Sequence, residues 1–150
     1  MSFWKTMRIG SSALHAQRLR LDVISNNIAN AETTRTDEGG PYQRQDVVFS
    51  AQNQHLPFAK FLPAQREVAE KALRLNGVQV EQVVTDTSPG SVVYDPTHPD
   101  ADEDGNVSYP NVNMVIEMTN MLSASRSYEA NVQVISASRT MAQRALEIGR

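Results

Sequence analysis

From Met114 onward the sequence contains no proline, and its apolar residues recur in alternating steps of four and three. The row runs Met114, Met118, Met121, Ser125, Tyr128, Val132, Ile135, Arg139, Ala142 and Leu146, and eight of its ten members are apolar. That spacing is the seam of a coiled coil. Asn111 or Asn113, following Pro110, can cap its start, and Gly149 can end it. The spacing predicts one helix over about 112–148, ~55 Å long at 1.5 Å per residue. Few helices buried in a globular bundle run past 25 residues, so the pattern points to an extended helix that pairs along its length.

The other end repeats the pattern. Met7, Leu14, Leu21, Ile24, Ile28 and Ala31 form one seam at heptad spacing, interrupted by Gly10 and Gln17. Ile9, Ala16, Leu19 and Val23 form a second stripe, nearly opposite the first at about 100° per residue. The C-terminal helix also broadens late, where Val134, Met141, Ala145 and Ile148 flank its seam. A two-helix hairpin in water needs one apolar face per helix. Helices that are apolar on two sides call for more neighbours than this chain supplies, so both ends are expected to order fully only within an assembly.

All seven prolines lie between Pro41 and Pro110, and charge follows the same division. Residues 1–35 carry five basic and two acidic side chains, 36–111 five and twelve, and 112–150 four and three. In the middle, Tyr42–Phe49 reads as a strand after the Gly39-Gly40-Pro41 turn. Residues 63–75 suit a short helix, with Val68, Ala72 and Leu75 on one side. Val78, Val80, Val83 and Val84 mark a second strand, and Ser91–Tyr94 a third after Ser88-Pro89-Gly90. The expected class is α+β. Its segments are an N-terminal coiled-coil helix in 1–34, a β-rich middle in 35–110 and a C-terminal coiled-coil helix in 111–150.

Composition removes several functions. There is no cysteine, so disulfides and thiolate chemistry are excluded. A net charge of −3 gives no support to a phosphate-backbone binder. No apolar run approaches the roughly 20 residues that span a membrane. Met1–Arg8 has basic residues but no apolar stretch behind it and no cleavage site, so no cleaved signal peptide is expected. No phosphate-binding glycine loop and no G-x-S-x-G elbow occur. No cofactor or metal is expected.

Two clusters need a separate account. Asp100-Ala101-Asp102-Glu103-Asp104-Gly105-Asn106-Val107 opens like a calcium-binding EF-hand loop, but position twelve is Asn111 where a bidentate Glu is required. An acidic, solvated turn is the simpler reading, and a calcium-responsive module using 100–111 is the competing one. A hydrolase using His98 with Asp95 and Asp100 is a further alternative, although Pro96 and Pro99 explain the segment as a rigid turn. The second cluster is Ser25-Asn26-Asn27-Ile28-Ala29-Asn30-Ala31. Three asparagines in five residues are costly inside a helix. They serve either as a capping, fraying end or as an amide face that fixes register between packed subunits.

Leu21 through Ala31 resembles the N-terminal signature of the bacterial flagellar rod and hook proteins. Tyr94-Asp95-Pro96-Thr97-His98-Pro99-Asp100-Ala101-Asp102, Gly105 and Tyr109-Pro110-Asn111-Val112-Asn113 are similar to the proximal-rod branch of that family. So are Glu117-Met118, Ala124–Asn131 and Ala145–Gly149. Residues 50–76 match no pattern of the family. The resemblance implies a non-enzymatic axial subunit whose terminal helices pair as the inner layer of a helical tube and whose middle packs outside. It implies export, without a cleaved signal, through the flagellar type III apparatus, periplasmic assembly and transmission of motor torque. The implied partners are the chain itself, proximal and distal rod proteins and a rod-base adaptor, with no nucleic acid and no membrane insertion. The residues expected to pack subunits are Met7, Leu14, Leu21, Ile24, Asn26, Asn27, Ile28 and Asn30, with Met114, Met118, Met121, Tyr128, Asn131, Val132, Ile135 and Leu146.

Overall fold

The structure is a computed structural model that describes residues 3–52 and 77–148. In chain order its elements are α1 (Phe3–Ala29), β1 (Gln45–Ala51), β2 (Val78–Thr85), β3 (Val92–Tyr94), β4 (Asn106–Ser108) and α2 (Met114–Ile148). This is the α+β arrangement of two long terminal helices around a β-rich middle. The helix expected over 63–75 and the stop at Gly149 lie outside the described residues.

Asn113 starts α2. Its Oδ1 accepts the N–H groups of Val115 (3.0 Å) and Ile116 (3.2 Å), so two of the helix's four orphan donors are satisfied. Of the two caps the sequence allows, this one wins because it directly precedes the first helical residue. The asparagine cluster ends α1. Asn30 donates its backbone N–H to the Asn26 carbonyl (3.1 Å), and its side-chain amide donates to the same oxygen and to Asn26 Oδ1 (both 2.9 Å). Side chains that compete with backbone for hydrogen bonds are tolerated here because the helix is stopping.

β1 and β2 form one two-stranded sheet, and β3 and β4 another. The second pair is antiparallel, with Val92 opposite Ser108, Val93 opposite Val107 and Tyr94 opposite Asn106. β4 lies within 100–111, the stretch whose sequence predicts an acidic, solvated turn. Its only apolar residue is Val107, which is fully buried. Gly39 and Gly40 both take positive φ, 89° and 79°, in the turn before β1. There Thr36 donates its N–H to Gly40 O (2.9 Å) and Gly39 donates to Thr36 O (3.0 Å). Only glycine adopts two such angles in succession without strain.

The chain divides into two compact units. One comprises residues 19–48 and 82–126, and its buried apolar side chains are Val23, Ile24, Val47, Val107 and Ala124. The other takes the described residues up to Arg18, 49–52, 77–81 and from Ser127 on. In it Ser12 ties α1 to β2: its hydroxyl donates to Ile9 O (2.8 Å) and accepts the Val78 N–H (3.2 Å). Gln52 N–H donates to Gly77 O (2.8 Å) beside it.

Candidate functional site

The two helices touch within each unit. In one, Gly10 of α1 lies so close to Ile135 of α2 that a Cβ there would sit 2.7 Å from Ile135 Cγ1. In the other, Asn27 of α1 donates to Glu117 Oε2 of α2 (3.3 Å). The side of α2 turned inward follows from burial. Glu117, Ala124 and Ser138 are buried, and Met121, Tyr128, Asn131, Ile135 and Ala142 half-buried. These eight positions again step by four and three.

This inner row shares Met121, Tyr128, Ile135 and Ala142 with the row read from the sequence, and is displaced by one residue at the alternate positions. Glu117, Ala124, Asn131 and Ser138 stand where Met118, Ser125, Val132 and Arg139 were expected. Polar matching and close approach set the row: the Asn27 amide of α1 takes Glu117, and Gly10 makes room for Ile135. The larger apolar residues are left outside. Met114, Met118 and Val132 are exposed, and Leu146 is 76% exposed. On α1, Ile24 and Asn27 are buried, Met7, Leu14, Leu21, Ile28 and Asn30 half-buried, and Asn26 exposed. Ala16 and Val23, from the second stripe, are buried too.

Asn27 is the centre of a polar clamp that periodicity could not reveal. It has no exposed surface. Its Oδ1 accepts the Gln45 N–H (3.0 Å) and the Tyr42 hydroxyl (2.9 Å). Its amide nitrogen donates to the Gln45 carbonyl (2.7 Å) and to Glu117 Oε2. All four hydrogen-bonding positions of the side chain are filled. Glu117, 1% exposed, takes the Arg44 Nε proton on its other oxygen (2.9 Å), and Arg44 also faces Asp46 Oδ2 (3.9 Å). The hydrogen bond to Glu117 holds the Arg44 guanidinium charged above its ordinary range. Burial, and then the Glu117 charge, push the Tyr42 phenol up. The clamp joins the end of α1, the start of β1 and the start of α2. Each oxygen of the Glu117 carboxylate accepts one donor and the residue is covered, so it works as a joint between the three segments. The sequence carries the asparagine cluster and, 90 positions after Asn27, Glu117; only the fold brings them together.

The acidic segment is held by its own turn and by the loop after α1. Asp100 accepts the Thr34 hydroxyl (2.7 Å) and pairs with Arg35 (3.7 Å). Asp95 accepts the hydroxyl (2.6 Å) and N–H (3.0 Å) of Thr97, which lower its pKa. His98 Nδ1 accepts the Asp100 N–H (3.1 Å). Asp95 N–H donates to Gly105 O (2.9 Å), and Asp102 N–H to Asn106 O (2.9 Å), so the acidic residues sit on the turn of the β3–β4 hairpin. Among the described residues no group of three or more His, Cys, Asp or Glu is gathered as a metal site. Nothing here supports the calcium reading.

Paired terminal helices joined by a polar clamp, with large apolar side chains left outward, define a structural subunit made for packing. Residues 7–35 match the profile of the flagella basal body rod proteins, and residues 103–148 the C-terminal profile of the flagellar basal body rod FlgEFG proteins. The chain is 45% identical to the flagellar basal-body rod protein FlgC of Borreliella burgdorferi, over 99% of this chain and 98% of that one. It is 42% identical to FlgC of Bacillus subtilis and 36% identical to FlgC of Escherichia coli O6:H1, in both cases over the full length of both chains. The chain belongs to the FlgC family of flagellar basal-body rod proteins. It is a structural subunit of the flagellar basal-body rod, not an enzyme.

Proposed function

We propose that this subunit builds the proximal rod by packing its terminal helices, 1–34 and 111–150, into the inner layer of a helical tube, with 35–110 outside. One observation carries this reading. The half of the heptad row that α2 does not use within the chain, Met114, Met118, Val132 and Leu146, is exposed. Large apolar side chains aligned beside an occupied seam are the second seam of a helix with neighbours on two sides. Met121, Tyr128, Asn131 and Ile135 edge that row, and the half-buried Met7, Leu14, Leu21 and Ile28 complete the set on α1, whereas Ile24 is spent on the chain's own core. Asn26 and Asn30 lie at the end of α1, where a neighbour's helix could read their amides. The partners are further copies, other proximal and distal rod proteins and a rod-base adaptor. The subunit reaches the periplasm through the flagellar type III apparatus without a cleaved signal, and the tube transmits motor torque.

Val132→Asp with Leu146→Asp tests the second seam, because both side chains are exposed and the fold does not need them. The expected result is a chain with unchanged circular dichroism that fails to enter basal bodies and leaves cells non-motile. Normal rods and motility in the double variant would remove the second seam from the account.

A further inference from the structure

The two compact units carry opposite charge. Residues 19–48 and 82–126 hold four basic and twelve acidic side chains, net −8. The described residues of the other unit hold five basic and three acidic side chains, net +2. Copies of such a molecule repel when like units lie side by side and attract when unlike units meet.

Each unit also presents apolar surface. On the acidic one, all three β3 residues are outward: Val92, Val93 and Tyr94 are 63%, 47% and 70% exposed. β3 pairs with β4 in a sheet of two strands, so its other edge carries no strand among the described residues. The turn between them bears exposed Asp102, Glu103 and Asp104. On the other unit, α1 has no acidic residue before Asp22, and its first turns carry Phe3, Trp4, Lys5 and Arg8. Trp4 is 79% exposed, with Phe3 against it edge-to-face at 5.7 Å. An outward tryptophan beside two cations is the composition of an interface anchor.

We propose that the β3–β4 hairpin of one copy receives the Phe3–Arg8 turns of a second copy, head to tail. The inference rests on the reading of the chain as a self-packing subunit and adds which surfaces meet. The apolar side chains supply the contact, and the opposed charges select it over like-on-like pairing. Such a contact is heterologous, so it builds closed rings or open chains of copies and not a symmetric pair that shares one patch.

Sedimentation of the purified full-length chain tests it, at about 0.01 M and about 1 M salt, where the screening length is roughly 30 and 3 Å. The wild type should associate at low salt and dissociate at high salt. Lys5→Glu with Arg8→Glu, and separately Asp102→Lys with Glu103→Lys and Asp104→Lys, should each stay monomeric with unchanged circular dichroism. An equimolar mixture of the two variants should associate again, because each now offers what the other lacks. A monomeric wild type at low salt, or a mixture that does not recover, overturns the proposal. If the Val132→Asp, Leu146→Asp chain is still excluded from rods in either case, the rod reading stands and only the head-to-tail contact falls.

Discussion

Asn27 holds two hydrogen bonds to the Gln45 backbone, one N–H and one carbonyl, as a neighbouring strand would. A helix side chain thereby substitutes for a strand partner at the point where β1 begins. Glu117 completes the joint by pairing with Arg44, and its removal exposes how much the joint contributes. Glu117→Gln should destabilise the chain by about 1–3 kcal/mol, the range for loss of a charged, covered hydrogen bond, read by urea denaturation. The same substitution should change Tyr42. The folded protein raises the Tyr42 pKa above its ordinary value near 10, so the neutral phenol is favoured. The stability this gives is fully present below the unfolded value and is lost as pH rises through the folded one. Phenolate absorbance, assigned by difference from Tyr42→Phe, should therefore appear late in the wild type. In Glu117→Gln it should appear earlier without returning the whole way, because burial is the larger cause and remains. Titration unmoved by the substitution would mean the charge plays no part.

At the scale of elements, the helix pair is organised by size. Gly10 allows α1 to meet α2 at Ile135, and Ala124 and Ser138 keep the inner row of α2 small. Gly10→Val should cost about 1–3 kcal/mol through overpacking, despite the better helix propensity of valine over glycine. Ile135→Ala in that background should recover part of the loss, and a double-mutant cycle on thermal unfolding gives the coupling. Strict additivity would place the contact elsewhere. Much of this level was legible in the sequence. Proline-free ends and heptad spacing gave both helices, and valine pairs gave β2 and β3. The one-residue displacement of the inner row was not legible, because large apolar residues make the strongest pattern whether they face the chain's own partner or another molecule's. β4 was missed for a related reason: a three-residue strand with a single apolar side chain, Val107, leaves no alternation to read.

For the molecule as a whole, order should not be uniform. The clamp ties 27, 42–45 and 117 together by bonds that need no neighbour, whereas the C-terminal part of α2 leaves Val134, Met141 and Leu146 in solvent. Segments with few buried contacts open most readily. Amide hydrogen exchange on the isolated chain should show protection around 23–31, 45–47 and 114–124, and faster exchange across 132–146. Equal protection along α2 would show that its far end needs no assembly to hold it. The sequence predicts that both helices order fully only within an assembly; the clamp, built from residues up to 90 positions apart, is expected to hold the segments it ties without one. Such a division comes from tertiary contacts that a linear pattern does not encode. Which side of α2 faces inward depended on Asn27 and Glu117, two polar positions that hydrophobic periodicity ignores.

Met121, Tyr128, Ile135 and Ala142 belong to the inner row of α2 and also border its outer one. On the proposed packing, whatever changes at these four sites must suit two environments at once, one folded by the chain itself and one supplied by company. Their side chains therefore have less latitude in volume than Val132 or Leu146, and a compensating change for any of them can arise either in the same polypeptide or in the molecule beside it.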